Sequence, residues 1–102
     1  MAVSIQVLYF DGCPHIDATL DRIRQLASQQ NPPASIETIE VTSQQEADQR
    51  RFLGSPTIRI DGVDIDPDAR NRTDFGVACR LYGSSGVPPT EMIASAIRTA
   101  KG

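Results

Sequence analysis

Apolar residues recur along this chain with two different periods, and each change of period marks a new element. Residues 3–10, Val-Ser-Ile-Gln-Val-Leu-Tyr-Phe, alternate at first and then run continuously apolar, as in a central strand covered on both faces. Asp11-Gly12 breaks that run. Ile16, Leu20, Ile23 and Ala27 follow at helical spacing to about Gln29, with Asp17, Asp21, Arg22 and Arg24 on other faces. Pro14 suits the first helical turn, where a missing N–H costs nothing, and Asn31-Pro32-Pro33 ends the helix. Residues 35–41 read as a second strand with a polar outer side. Thr42-Ser43-Gln44-Gln45 has the spacing of a capping box and predicts a helix from about Ser43 to Leu53. That helix has little apolar surface beyond Ala47, Phe52 and Leu53, and Gly54 suits its left-handed C-terminal position. Thr57 to Ile60 is a third strand, and Asp61-Gly62 a two-residue hairpin turn into a fourth at Val63–Asp66. Residues 67–87 are polar and turn-rich. Pro88-Pro89-Thr90-Glu91 opens a last helix with Met92, Ile93, Ala96, Ile97 and Ala100 on one face.

The predicted order is β-α-β-α-β-β-α. A strand–helix–strand unit closes by a right-handed crossover onto a parallel partner, whereas the Asp-Gly hairpin pairs its strands antiparallel. The expected fold is therefore α/β, a single domain over 1–102 with a four-stranded mixed sheet and helices on both faces.

Composition narrows the function classes. The chain has 102 residues, 39% hydrophobic and 23% charged, with a net charge of −3. A negative balance gives no electrostatic support to nucleic-acid binding. No segment approaches the roughly 20 apolar residues of a membrane span, so neither nucleic acid nor membrane is an expected partner. Met1-Ala2-Val3-Ser4-Ile5 lacks a basic region ahead of its apolar stretch and reads as the start of a strand rather than as an export signal. The expected compartment is the cytoplasm. Two cysteines there point to free, catalytic or metal-binding thiols rather than to a permanent disulfide.

The chemistry gathers around those cysteines. Cys13 lies at the strand-to-helix junction Phe10-Asp11-Gly12-Cys13-Pro14-His15-Ile16, where helix N–H groups favour a thiolate; the alternative is a small apolar cap. His15, the chain's one histidine, is either a thiolate stabiliser, since an imidazolium near sulfur favours the anion, or a solvated first-turn residue. Cys79, in Val77-Ala78-Cys79-Arg80-Leu81-Tyr82, is a candidate resolving thiol, although its apolar run favours a small buried hydrophobe. Arg80 suits an acidic ligand group or the acidic stretch Asp64–Asp66, with surface pairing the simpler role. Two Cys and one His offer no standard zinc spacing, so neither a metal site nor a cofactor is expected; two thiolates would still suffice for a soft ion such as Cu(I) or Hg(II).

Taken together, Tyr9-Phe10-Asp11-Gly12-Cys13-Pro14, Phe52-Leu53-Gly54-Ser55-Pro56-Thr57-Ile58-Arg59-Ile60-Asp61-Gly62 and Cys79-Arg80-Leu81-Tyr82 resemble small bacterial thioredoxin-like proteins, some of which carry an alkylmercury lyase label. The resemblance spans nearly the whole chain, and the Phe-Leu-Gly-Ser-Pro-Thr block is its most specific part. It implies a thioredoxin-like fold, a reactive Cys13, a cis Pro56, and a substrate backbone held by Pro14, Ser55, Pro56 and Thr57. Relatives often carry a second cysteine three residues after the first; here that position is Ile16, giving Cys-Pro-His-Ile. The expected function is therefore monothiol or atypical thiol–disulfide redox chemistry on a protein or low-molecular-weight thiol such as glutathione. The rival readings are a thiol-based binding module for a soft metal and a protein-interaction domain on a degenerate fold.

Overall fold

The computed structural model describes residues 2–101. Among them are four strands, β1 (Ser4–Tyr9), β2 (Ser35–Glu40), β3 (Thr57–Ile60) and β4 (Val63–Asp64), and three α-helices, α1 (Ile16–Ser28), α2 (Gln44–Arg50) and α3 (Thr90–Lys101). A single 3-10 turn covers Pro67–Ala69. The expected element order is present.

The strands form one mixed sheet in the order β2-β1-β3-β4. β1 is central because it is the most continuously apolar segment. It pairs in parallel with β2, from Ser4↔Ser35 to Tyr9↔Glu40, and antiparallel with β3, from Ile5↔Ile60 to Leu8↔Thr57. The β3–β4 hairpin turns on Asp61 and Gly62, both at positive φ (51° and 84°), as a type I′ turn demands. Asp61 also accepts the Ser4 amide at 2.9 Å, tying the hairpin to β1.

Alternation along the strands divides the interior. Val3, Ile5 and Val7 with Ile58 and Ile60 face the buried side of α1 (Ile23, Ala27) and of α3 (Ile93, Ile97). Leu8 points the other way, onto Val41, Ala47 and Phe52 at α2. Helices therefore cover both faces. No helix among the described residues is long and apolar enough to cross a membrane.

Several boundaries differ from the sequence reading. α2 ends at Arg50 rather than near Leu53, because Arg51, not Gly54, takes the left-handed closing position (φ 56°). Its capping box lies one residue further on. Ser43 accepts the Glu46 amide, and Glu46 reaches back to the Thr42 amide. β4 stops at Asp64 rather than Asp66, where the Asp64 carboxylate accepts the Asp66 amide and turns the chain out of the sheet. A second cis bond, Asn31-Pro32, accompanies the expected one at Ser55-Pro56.

Candidate thiol site

Cys13 follows the C-terminal end of β1. Gly12 (φ 90°) turns the chain there, and a tight turn closes when the Cys13 amide donates to the Phe10 carbonyl at 3.2 Å. α1 begins only at Ile16, with His15 as its N-cap residue. Cys13 and Pro14 therefore precede the helix instead of forming its first turn. Cys13 is also only 5% exposed.

Antiparallel pairing puts the start of β3 at this same end of the sheet, because Thr57 lies opposite Leu8. Gly54, Ser55, Pro56 and Thr57 precede or begin that strand, and all four are buried. What covers them is the connection between the 3-10 turn and α3. Ser55 donates its amide to the Ala78 carbonyl (2.7 Å) and accepts the Arg80 amide (2.9 Å), so Ser55 and Cys79 form a parallel bridge. Residues 77–82, the strap, are thus tied to the start of β3 through this one bridge. Gly54 makes room for it: a Cβ at that position would lie 2.9 Å from the Ala78 carbonyl oxygen, and φ is 109°.

The strap is held by charge as well as by backbone. Arg80 makes a bidentate pair with Asp64 (2.8 and 2.9 Å) whose side chains are only 1% and 9% exposed. The surface pairing expected for Arg80 is corrected: the partner is acidic but the pair lies in the interior, because Ser55 draws the strap inward. The Arg80 guanidinium also lies over the Tyr82 ring at 4.5 Å, and Tyr82 donates its hydroxyl to the Pro56 carbonyl at 2.6 Å. Burial opposes the charge on Arg80, but the bonds and charge of Asp64 outweigh it and shift its pKa upward. Burial likewise pushes the Tyr82 phenol well above its ordinary value.

The strap buries two of its side chains. Arg80 and Tyr82 point inward, while Val77, Cys79 and Leu81 are exposed. Cys79 is thus exposed, not the small buried hydrophobe its apolar run favours. Both cysteines are free thiols. His15 is half-buried, and its ring packs against Gly86 so closely that a methyl group there would fall inside it. Among the described residues the ring makes no hydrogen bond, to Cys13 or to any other group. The chain from Tyr82 to Gly86 therefore runs from the Pro56 carbonyl to the start of α1, across the end of the sheet that holds Cys13. Of the sequence-predicted site residues, Pro14 and Cys79 are exposed; Cys13, Ser55, Pro56 and Thr57 are not.

Arg80, Asp64 and Tyr82 are the residues whose structural importance sequence reasoning underrated. The available signal was a lone arginine inside an otherwise apolar run, which is costly to bury unless paired. No group of three or more metal-ligating side chains occurs among the described residues. No family model, curated protein or solved structure matches this chain.

Proposed function

We propose that this chain is a thioredoxin-like thiol protein that performs monothiol exchange at Cys13, on a low-molecular-weight disulfide of the glutathione type. The observation that supports it most is the convergence of Cys13, the Ser55–Pro56 loop and Cys79 on one end of the sheet. The Cys13 thiolate attacks one sulfur of the disulfide, forming a mixed disulfide and expelling the other half as a thiolate. Cys79 or a second small thiol then attacks the mixed disulfide, and the bound half leaves as a thiol. A reducing cytoplasm supplies that thiol. A small substrate is favoured over a peptide because both backbone groups of Ser55, the natural pairing edge for an added strand, are already bonded to the strap. Access to the 5% exposed Cys13 then requires a local opening of the structure around it.

A second reading, a protein-interaction domain, is favoured by the exposed row Val77, Cys79 and Leu81. Intact-mass kinetics with oxidised glutathione separates the two. The wild type should gain a glutathione adduct or lose a hydrogen pair to a Cys13–Cys79 disulfide. Cys79→Ser should accumulate the adduct on Cys13, and Cys13→Ser should abolish the fast step. Undiminished reaction in Cys13→Ser would sink the exchange mechanism and leave the interaction reading.

A further inference from the structure

A cavity of about 320 Å³ opens on the α2 side of the sheet, and none of the thiol-site residues lines it. Its volume is that of a small-molecule site. Four arginines contribute to its wall: Arg51, Arg59, Arg70 and Arg72. They come from the end of α2, from β3 and from the chain after the 3-10 turn, so only the fold assembles them. Such a concentration of positive charge is unexpected in a chain with net charge −3.

Most cations in folded proteins face carboxylates, so partners are the first matter to settle. Arg72 is neutralised by Asp74 in a bidentate pair (2.9 and 2.7 Å). Asp64 also lines the cavity, but its carboxylate is taken by Arg80 and the Asp66 amide. Arg51, Arg59 and Arg70 have no carboxylate within ion-pair distance among the described residues. Arg59 is braced by donating to the carbonyls of Arg50 and Arg51 (2.7 Å each), which fixes its guanidinium while leaving its other N–H groups unused. Arg70 is braced through one N–H to the Asp64 carbonyl at 3.0 Å. Arg51 lies over the Phe75 ring at 5.0 Å. Burial, together with the neighbouring Arg80, Arg51 and Arg50 charges, lowers the Arg59 pKa despite the opposing pull of Asp64. An anion in the cavity would offset that crowding.

We propose that this cavity is a phosphate-binding site, taking either inorganic phosphate or the phosphate of a small monoester. Planar guanidinium forks match phosphate oxygens bidentately, and arginine rather than lysine is the residue suited to that geometry. A phosphate carries about −1.5 to −2 charge at neutral pH on three acceptor oxygens, enough to engage three guanidinium groups, whereas one carboxylate engages fewer. Leu53 and Phe75 supply an apolar wall against which the body of an ester would rest.

The test is an NMR titration of the full chain with inorganic phosphate, phenyl phosphate and malonate at constant ionic strength. Saturable shifts should centre on Arg51, Arg59 and Arg70. Arg51→Gln and Arg70→Gln, both at exposed positions, should each weaken phosphate binding about tenfold, the loss of one charge-assisted hydrogen bond. Arg59→Gln should do the same, but because it braces two carbonyls the other two variants carry the decision. Tighter binding of phenyl phosphate than of phosphate identifies a phosphate ester as the ligand; equal binding identifies free phosphate. Either result supports the site. The proposal is overturned by shifts that do not saturate, by malonate binding as tightly as phosphate, or by full affinity in both Arg51→Gln and Arg70→Gln.

Discussion

The two faces of the sheet are built on different principles. The α1/α3 face is dominated by aliphatic side chains: Ile5, Val7, Ile23, Ile58, Ile60, Ile93 and Ile97 are all at most 2% exposed, with the Tyr82 ring packed among them. The α2 face has a small apolar cluster at one end and, at the other, Thr57, Asp64, Arg59 and Arg80. The first face gains stability from area and packing, which many sequences satisfy. The second depends on a few specific bonds, and it is less complete, since Ser55 Oγ and Arg80 Nε are buried without a protein partner. The proposed thiol site and the arginine cavity both adjoin the second kind of structure. The comparison teaches that the apolar face supplies the frame, while the polar half holds the parts that can move or bind.

The sharpest way to break this comparison is Arg80→Leu. It strands the Asp64 carboxylate in the interior, which costs about 3–5 kcal/mol. It should also loosen the strap, so that native-state alkylation of Cys13 quickens by more than the global loss of stability explains. The double variant Asp64→Leu/Arg80→Leu should recover most of the lost stability, because removing both charges leaves none unpaired. Urea unfolding reads the first effect and thiol alkylation the second. An Arg80→Leu protein as stable as wild type would mean that the ion pair does not hold this face together.

Ile23→Ala tests the opposite face. Truncating a fully buried isoleucine costs about 3 kcal/mol through lost burial and the cavity left behind. Here Cys13 should react little faster than global unfolding permits, since the Arg80–Asp64 pair and the Ser55 backbone bonds that hold the strap are untouched. If Ile23→Ala and Arg80→Leu accelerate the thiol equally at matched stability, the faces do not differ in the sense argued.

The same contrast explains what could be read from the sequence. The apolar face was legible because periodicity is local: Ile16, Leu20, Ile23 and Ala27 mark a helix without knowledge of any other segment. The parallel β1–β2 pair and the antiparallel β3–β4 hairpin followed from the crossover rule and the turn, whereas the pairing of β1 with β3 did not. The place of Cys13 after β1, the cis Pro56 and the Asp61-Gly62 turn were legible because their neighbours in sequence carry the signal. The strap was not. Arg80 is sixteen residues from Asp64, Tyr82 twenty-six from Pro56, and nothing near either names its partner. The exposure of Cys79 goes with that unseen bridge to Ser55, whereas its apolar neighbours in sequence point to a buried side chain. The arginine cavity is the extreme case, drawn from three separate segments whose charges look like ordinary surface.

Tyr82→Phe gives a smaller effect where the two halves meet, since the ring packs in the α1/α3 cluster while its hydroxyl and face serve Pro56 and Arg80. It deletes the hydroxyl that donates to the Pro56 carbonyl and keeps the ring under Arg80. Loss of about 1–2 kcal/mol is expected, one hydrogen bond plus a buried carbonyl left unpaired. Cys13 alkylation should rise modestly, between wild type and Arg80→Leu. An alkylation rate equal to wild type would show that the Tyr82 end of the strap does not control access, and would shift that role to Arg80 alone.

The smallest effect concerns Asp74, the partner of Arg72 in the cavity wall. Its carboxyl is held down to about 2, first by the hydrogen bonds from Arg72 and then by its own backbone amide. A carboxylate with a folded pKa below its unfolded one adds stability that is present above the unfolded value of 3.8. That contribution is lost as the pH falls through the folded value near 2. The pair is solvent-exposed and screened, so Asp74→Asn should leave the unfolding midpoint at neutral pH within error. What should change is the cavity. Without Asp74, Arg72 becomes a fourth guanidinium lacking a carboxylate, and phosphate should bind more tightly in the same titration that defines the site. Arg72→Gln should do the reverse to the acid, returning the Asp74 carboxyl toward 3.8 in a carbon-detected pH titration, while weakening phosphate less than Arg70→Gln does. If Asp74→Asn leaves phosphate affinity unchanged, Arg72 points away from the anion, and the cavity works with the three remaining arginines.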